Sequence, residues 1–243
     1  MNDFLLAVQF FTRIPVGRRV HYSAEGLARG AVYLPLTGFF VGGAAALGMW
    51  FGVRWFGLGV GVWLGIAVGF VLTGAIHENA PADRADAPGG METIRDNPIG
   101  INGALALILG LGLKAAAIGQ LAVIHLENTG QWIIVAAMGG RLAALALMAW
   151  LPFAQGPESA PELSAKRARW SQVVVAGAYT LLLASIARGL GGGFVLLAAV
   201  GILTAATGWF FRKQPGGIAG DALGATSHCV EITILVLACA WAR

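Results

Sequence analysis

Residues 57–76 read GLGVGVWLGIAVGFVLTGAI, twenty consecutive residues without a charged side chain. A helix of about twenty apolar residues is long enough to cross about 30 Å of hydrocarbon. Backbone groups in lipid must find their hydrogen-bond partners within a helix or a closed barrel, and the sequence lacks the alternating ten-residue pattern of a barrel. The stretch therefore predicts a transmembrane helix in an all-α fold.

Comparable apolar stretches recur before and after this one. The chain is 57% apolar and 12% charged, with a mean hydropathy of +0.74, outside the range of soluble globular proteins. We predict a single transmembrane domain over residues 1–243, with an interfacial helix over residues 1–12 that ends before Pro15. About seven spans should follow, at residues 31–51, 57–76, 103–125, 131–151, 171–188, 193–211 and 228–242.

Basic residues are divided unequally between the two faces that seven spans create. One face receives Arg13, Arg18, Arg19, Arg29, Arg84, Arg95, Lys166, Arg167, Arg169, Arg212 and Lys213, whereas the other keeps Arg54, Arg188 and Arg243. The positive-inside rule makes the first face cytoplasmic. We therefore expect a multi-pass protein of the plasma (inner) membrane whose cytoplasmic loops are residues 13–29, 77–102, 152–170 and 212–227.

The net charge of +4 also bears on the partners of the protein. The basic residues are spread over several loops without interleaved aromatic residues, which is not the pattern of a nucleic-acid surface. We expect membrane lipid as a partner and no nucleic acid.

Glycine recurs at every fourth residue of the 57–76 stretch, at Gly57, Gly61, Gly65 and Gly69. Such a ridge lets another helix approach closely. The neighbouring helix can belong to the same chain or to a second copy, so a homo-oligomer through this ridge remains an alternative to packing within the chain.

Carboxylates are concentrated in the loop that follows this span. Five of the twelve acidic residues lie there, namely Glu78, Asp83, Asp86, Glu92 and Asp96. On a helix Asp83 and Asp86 share a face, with Asn79 one turn earlier. Two close carboxylates repel each other unless a cation lies between them, and Mg²⁺ with substrate phosphates is a common solution. A solvated acidic loop with helix caps is the other interpretation.

Three further features bear on the chemistry. His77-Glu78 begins like a zinc-protease motif, but Pro81 stands where the second histidine ligand should be, so zinc hydrolysis is disfavoured. The Gly-rich segment 216–226 precedes an apolar helix and could bring loop amides close to a phosphate. Lys114 and Arg141 fall inside predicted spans, where an ionisable residue usually faces a cavity or a partner, such as a phosphate or an Asp.

Several motifs occur in the order found in one enzyme family. They are Phe11-Thr12-Arg13-Ile14-Pro15-Val16, Thr73-Gly74-Ala75-Ile76-His77 through Asp83 and Asp86, Ile94-Arg95-Asp96 with Gly100 and Gly103, and Gly220-Asp221-x-Leu223-Gly224-Ala225. The chain resembles the cobalamin synthases, adenosylcobinamide-GDP ribazoletransferases, over nearly its whole length. The resemblance implies an integral membrane enzyme that uses Mg²⁺ to join α-ribazole, or its 5′-phosphate, to adenosylcobinamide-GDP with release of GMP.

The resemblance also implies roles for individual residues. The expected catalytic residues are His77, Asp83, Asp86, Arg95 and Asp96. The expected Mg²⁺ ligands are Asn79, Asp83, Asp86, Asp221 and Glu231. We expect substrate contacts from Arg13, Arg141, Gly220 and Gly224.

The chain departs from the family pattern H-x-D-G-L-A-D-x-x-D-G at four positions, where it has Asn79, Ala80, Pro81 and Ala87. The amide removes one negative charge, and the alanines restrict the backbone. A catalytically weak relative that acts as a scaffold in the corrinoid pathway is thus one alternative. A transporter of the same topology, with Lys114 and Arg141 marking its pathway, is the other.

Overall fold

The described part of the chain is helical throughout, which confirms the all-α prediction. A computed structural model of the protein describes residues 2–14, 16, 23–74, 101–152, 168–213, 218 and 220–242, and none of these forms a β-strand. The helices are α1 (Asn2–Phe11), α2 (Ala24–Gly30), a 3-10 helix (Ala31–Tyr33), α3 (Leu34–Phe56), α4 (Leu58–Thr73), α5 (Ile101–Trp150), α6 (Trp170–Arg212) and α7 (Gly220–Trp241).

Among the described residues, five helical segments are long and apolar enough to cross a membrane. They are Glu25–Phe56, Ile101–Trp150, Trp170–Ala187, Gly189–Arg212 and Gly220–Trp241. The protein is therefore an α-helical membrane protein. The count of seven spans and the interfacial position of α1 stay predictions, since α4 has only 16 residues.

Helices α3 and α4 form an antiparallel hairpin that turns at Gly57, whose φ of 87° favours glycine. The glycine ridge of α4 faces α3. A Cβ at Gly65 would lie 2.8 Å from the carbonyl oxygen of Ala45, and one at Gly61 would clash with the backbone of Val53. These two glycines are thus used for packing within the chain, while the homo-oligomer stays an untested prediction.

The 50-residue helix α5 reverses direction at His125, whose φ of −150° and ψ of 84° are not helical. Lys114 and Arg141 bind the same carboxylate, that of Glu231, at 2.7 and 2.6 Å. In a straight helix these two residues would lie about 40 Å apart along the axis. The two halves of α5, residues 101–124 and 126–150, therefore lie side by side.

Helix α6 reverses in the same way at Gly189, where φ is 73°. A Cβ at Gly193 would clash with the Ser185 hydroxyl and lie 3.0 Å from Leu181. Residues on both sides of Gly189 are thus in contact, which a straight helix would not allow. Glycine suits this position because an L side chain rarely adopts a positive φ.

Helix α7 lies at the centre of the bundle. In the most apolar 18-residue stretch of α7, 67% of the residues are buried, whereas in that of α5 only 22% are. It begins at Gly220, eight residues before the predicted span 228–242, so the second half of the predicted loop 212–227 is helix. Thr226 and Ser227 are buried there, and the Ser227 hydroxyl donates to the carbonyl of Gly140 at 2.9 Å. The polar first turns of α7 are thus packed inside the bundle.

Helix α1 and helix α2 pack on the outside of this bundle. Arg29 of α2 donates to the Asp3 carboxylate of α1 at 2.9 Å. The Gln172 amide of α6 donates to the carbonyl of Ala28 at 2.7 Å, and the Tyr179 hydroxyl donates to that of Val32 at 2.7 Å. The N-terminal segment is thus fastened to the first turns of α6.

The helix ends next to the segments outside the described residues lie on one side of the bundle. The first half of α5 runs parallel to α7, since Gly110 meets His228 and Lys114 meets Glu231. The end of α5 meets the start of α7, because the N–H of Ile218 donates to the carbonyl of Pro152 at 2.9 Å. The helix ends that flank segments 75–100, 153–167 and 214–217 therefore share a side.

Candidate active site

Six of the predicted site residues lie outside the described residues: His77, Asn79, Asp83, Asp86, Arg95 and Asp96. The helix end before them is described. Helix α4 ends at Thr73 and is capped by Gly74, which has a φ of 69° and donates its N–H to the carbonyl of Phe70 at 2.7 Å. A left-handed glycine at this position is a common helix stop. The chain thus turns sharply at Gly74, shortly before the carboxylate-rich loop of residues 77–102, which we call the acidic segment.

Arg13 binds this end of α4. Its backbone N–H donates to the carbonyl of Leu72 at 2.7 Å, and its Nη2 donates to that of Gly74 at 3.5 Å. The last carbonyls of a helix have no partner within it, and a cation near them is favoured by the helix dipole. The structure thus places Arg13 as a link between the end of α1 and the start of the acidic segment, and its contact with substrate stays a prediction.

The start of α7 carries the second group of predicted residues. The Asp221 Oδ1 accepts a hydrogen bond from the N–H of Ala222 at 2.8 Å. A carboxylate in the first turn of a helix is stabilised by the positive end of the helix dipole. Asp221 therefore lies on the side of the bundle where the acidic segment begins.

Gly220 and Gly224 differ in their surroundings. Gly220 is exposed, and a Cβ there would meet no described atom within 4 Å. Packing among the described residues thus does not require glycine at this position. Gly224, one turn further along, is buried within the bundle. Of the two, Gly220 is the one that a ligand can approach.

Glu231 forms a buried ionic cluster with two basic residues of α5. Its Oε1 accepts from the Arg141 Nη1 at 2.6 Å, and its Oε2 accepts from the Lys114 Nζ at 2.7 Å. The side chains of Arg141, Glu231 and Lys114 are only 3%, 7% and 13% exposed. Buried charges are tolerated when paired and hydrogen-bonded. We call these three residues the ionic cluster.

Glu231 and Asp221 lie too far apart to bind one metal ion. Ten residues separate them on α7, a rise of about 15 Å. Two oxygens on one Mg²⁺ lie within about 4 Å of each other, because each is about 2 Å from the ion. The two carboxylates therefore belong to different sites. Both Glu231 oxygens already accept from cations, so the geometry favours ion pairing for Glu231, and its metal role stays an untested prediction.

A cavity of about 40 Å³ lies beside the ionic cluster, between α3, α4, α5 and α7. Lys114, Arg141 and Glu231 line it together with Thr73, the last residue of α4, and its other walls are mainly aliphatic. This volume exceeds the roughly 10–15 Å³ that one water molecule needs. The cavity reaches from the ionic cluster to the helix end that precedes the acidic segment.

The sequence marked Lys114 and Arg141 as unusual but did not show their common partner. Glu231 lies 117 residues from Lys114 and 90 residues from Arg141. The available signal was that one acidic and two basic residues fall within apolar stretches, where charges tend to pair with one another. The reversal of α5 at His125, at the boundary between the predicted spans 103–125 and 131–151, brings Lys114 and Arg141 together, and the packing of α7 brings Glu231 to them.

The predicted Mg²⁺ ligands other than Glu231 are divided between the start of α7 and the acidic segment. Within the described ranges, no three His, Cys, Asp or Glu side chains are grouped closely enough to hold a metal. Asp221 supplies one hard oxygen donor of the kind that Mg²⁺ prefers. The remaining predicted ligands, Asn79, Asp83 and Asp86, lie in the acidic segment.

Comparison with known proteins gives consistent matches over nearly the whole chain. A family model described as Cobalamin-5-phosphate synthase matches residues 3–239. A protein of Leptothrix cholodnii named adenosylcobinamide-GDP ribazoletransferase is 34% identical over 94% of this chain and 91% of its own length. Proteins with the same name from Shewanella amazonensis and Ralstonia nicotianae are each 32% identical, over 99% and 97% of this chain and 96% and 94% of their own lengths. No solved structure matches the chain.

Proposed function

The chain belongs to the cobalamin-5-phosphate synthase family, and on this basis we propose that it joins α-ribazole, or its 5′-phosphate, to adenosylcobinamide-GDP. GMP is released, and the product is adenosylcobalamin or its phosphate. The observation that carries the proposal is the match of residues 3–239 to one enzyme family, together with the carboxylates of the acidic segment and Asp221 at the start of α7. The proposal is also supported by the position of Asp221, which lies on the same side of the bundle as the helix ends that flank the acidic segment.

In the proposed reaction a free ribose hydroxyl of the ribazole attacks the phosphoryl group next to cobinamide. A new P–O bond forms to the ribazole, the P–O bond to GMP breaks, and the hydroxyl proton passes to a base, for which we propose His77. The 5′ oxygen cannot be the nucleophile of the 5′-phosphate substrate, because it already carries a phosphate. Arg95 would neutralise phosphate charge, and Asp96 would orient the reacting groups.

Asp83 and Asp86, with the Asn79 oxygen, are the ligands we propose for Mg²⁺, which when bound would neutralise the pyrophosphate and the leaving oxygen. Asp221 would contribute a further carboxylate from the start of α7. We leave out Glu231 and Arg141, since each already uses its charged group for the other. Arg13 and Gly220 are the proposed substrate contacts among the exposed described residues, and Gly224 would act by holding the first turns of α7 in place.

We further propose seven spans and an interfacial α1 in the plasma (inner) membrane, with the acidic segment in the cytoplasm. The reversals at His125 and Gly189 support this count, because they divide α5 and α6 into two segments each. Helix α4, at 16 residues, is short for a span but continues the hairpin with α3. The distribution of basic residues supports the orientation.

The test is GMP release by the purified protein in detergent or lipid, with both substrates present and with or without Mg²⁺. We expect release that needs all three, and we expect Asp83→Ala to abolish it without changing thermal stability, because a loop carboxylate contributes little packing. Glu127→Ala is the matched control, since Glu127 is an exposed carboxylate at the reversal of α5. Release by Asp83→Ala equal to that of the control would contradict the proposed site.

A transporter is the second candidate, because the ionic cluster lies among apolar helices where transporters often hold charged residues. Uptake of labelled cobinamide or ribazole into proteoliposomes, without GMP release, is the result that would favour it.

A further inference from the structure

The ionic cluster joins three segments of the bundle at one point. Lys114 belongs to the first half of α5, Arg141 to the second half, and Glu231 to α7. Arg141 also reaches α3, because a Cβ at Gly38 would lie 2.6 Å from the Arg141 Cδ. The Arg141 Nη1 donates to the carbonyl of Ala137 at 2.9 Å as well, which fixes its guanidinium against its own helix.

Small residues on α5 let α7 approach at the depth of the cluster. A Cβ at Gly140 would lie 2.7 Å from the carbonyl oxygen of Ser227 and 2.9 Å from the Glu231 Cγ. A Cβ at Gly110 would lie 3.0 Å from the His228 Nε2. Glycine contacts of this kind permit closeness but have little directionality, so by themselves they do not fix the register of α7.

Direction comes from the hydrogen bond between the Ser227 hydroxyl and the carbonyl of Gly140, and from the two ion pairs of Glu231. Each Glu231 oxygen accepts from a different cation, so the carboxylate is held from two sides. A shift of α7 by one residue along its axis, about 1.5 Å with a rotation of about 100°, would break both pairs. Buried polar groups are known to select one register among similarly packed alternatives.

We propose that Glu231 is a positioning residue of the transferase, and that its ion pairs with Lys114 and Arg141 set the depth and rotation of α7. Glu231 thereby determines where Gly220 and Asp221, at the exposed start of the same rigid helix, stand relative to α5. It acts through these residues and binds no metal. This inference rests on the proposed function, because the position of Asp221 matters only if Asp221 serves the reaction.

The first test concerns folding and needs no activity. Removing Lys114 or Arg141 leaves one neutral ion pair, whereas Glu231→Gln leaves two buried cations without a carboxylate. Removing one partner of a buried pair is far more damaging than replacing the whole group with apolar residues. We expect Glu231→Gln to lower the thermal midpoint more than Lys114→Met or Arg141→Met. The combination Lys114→Met, Arg141→Met, Glu231→Leu should return the midpoint to within about 5 °C of the wild type. Equal or reversed order of the single variants would overturn the proposal.

The second test concerns the reaction and separates positioning from packing and from metal binding. We expect the combined variant, and Lys114→Met alone, to lose about tenfold or more in kcat for GMP release. The substrate KM and the Mg²⁺ concentration for half-maximal activity should stay within about twofold. Lys114→Arg, which keeps the cation, should retain most of kcat, and Glu127→Gln is the matched carboxylate control.

Each alternative has its own result. A tenfold rise in the Mg²⁺ requirement of a folded variant would make Glu231 a metal ligand. A kcat within twofold of the wild type would reduce the cluster to a packing element. If the combined variant does not fold, Lys114→Met and Lys114→Arg still decide between these results. Absence of GMP release from the wild type would refute the transferase and with it the reaction arm, whereas the order of thermal midpoints would still test the cluster.

Discussion

Asn79 stands where the resembled family has an aspartate, four residues before Asp83. If its oxygen is a Mg²⁺ ligand, Asn79→Asp adds a negative charge beside the ion and strengthens binding. We expect this variant to lower the Mg²⁺ concentration for half-maximal GMP release by about threefold to tenfold, with a further decrease when Ala80→Gly restores backbone freedom. The measurement is a Mg²⁺ titration of GMP release for the wild type and both variants.

An added carboxylate would have the opposite effect at a site without a cation, because it would repel Asp83. An unchanged or higher Mg²⁺ requirement would therefore remove Asn79 from the metal site and favour the catalytically weak relative. The matched control is Asn128→Asp at the reversal of α5, which adds the same charge on a helix far along the chain from the acidic segment.

Gly140 and Gly112 lie on the same helix but differ in what surrounds them. A Cβ at Gly140 would press on the backbone of Ser227, whereas one at Gly112 would meet nothing within 4 Å. We expect Gly140→Ala to destabilise the protein by about 1–3 kcal/mol, because backbone atoms cannot move aside without cost. Gly112→Ala should be neutral or stabilising by up to about 1 kcal/mol, because alanine is the better helix former. Thermal unfolding in detergent compares them, and equal midpoints would show that α7 tolerates displacement at Gly140.

At the scale of elements, the ion pair between Arg29 of α2 and Asp3 of α1 contributes to the attachment of α1, and this makes the attachment sensitive to acid. The hydrogen bond from Arg29 holds the pKa of Asp3 below its ordinary value of 3.8. A carboxyl group with a lowered pKa in the folded protein stabilises it above the unfolded pKa, and that stabilisation is lost as pH falls through the folded pKa. The attachment of α1 should therefore be intact above about pH 5 and weaken below about pH 4.

Asp3→Asn should reproduce the acid effect at neutral pH. We expect hydrogen exchange of the α1 amides to increase by up to about fivefold, a modest factor because exposed ion pairs are weak. The same variant should show no additional acid-induced exchange in α1 after correction for intrinsic rates. Amides at the centre of α7 serve as the internal reference. An unchanged α1 in Asp3→Asn would assign its attachment to apolar packing, for which Leu6 and Ala7 are the buried candidates.

The elements also show where local patterns succeed and where they fail. Apolar stretches predicted helices at residues 103–125 and 131–151, and the break of α5 at His125 falls where the first of them was predicted to end. The polar residues 125–131, HLENTGQ, mark this reversal in the sequence. The start of α7 was missed, because Gly220 to Ser227 read as a polar loop, whereas the structure buries Thr226 and Ser227 in the bundle and the Ser227 hydroxyl donates to the carbonyl of Gly140.

At the scale of the whole molecule, the orientation follows from the basic residues and can be tested with single cysteines. In a background without Cys229 and Cys239, we expect Asn128→Cys to react with a membrane-impermeant maleimide from outside intact cells. Gly90→Cys should react only after the cells are opened, because the loop of residues 77–102 is predicted to be cytoplasmic. Labelling of position 90 from outside with protection of position 128 would reverse the orientation.

The sequence by itself determined the properties that depend on local composition. Long uncharged stretches set the membrane class and the helical fold, since lipid cannot satisfy an open backbone. The clustering of carboxylates and the order of motifs predicted the family, which the comparisons confirm. The predicted roles of His77, Asp83, Asp86 and Asp96 come from the same motifs and await the activity measurements.

Only the tertiary structure decided which charged residues meet inside the membrane. Lys114 and Arg141 stand out in sequence as charged residues within apolar stretches, but their common partner does not, because their ion pairs with Glu231 span 117 and 90 residues. They come together because α5 folds back on itself and because Gly140 lets α7 approach. Pairing over such separations depends on how helices pack, which is a property of the whole bundle and cannot be read from the residues around any one of the three.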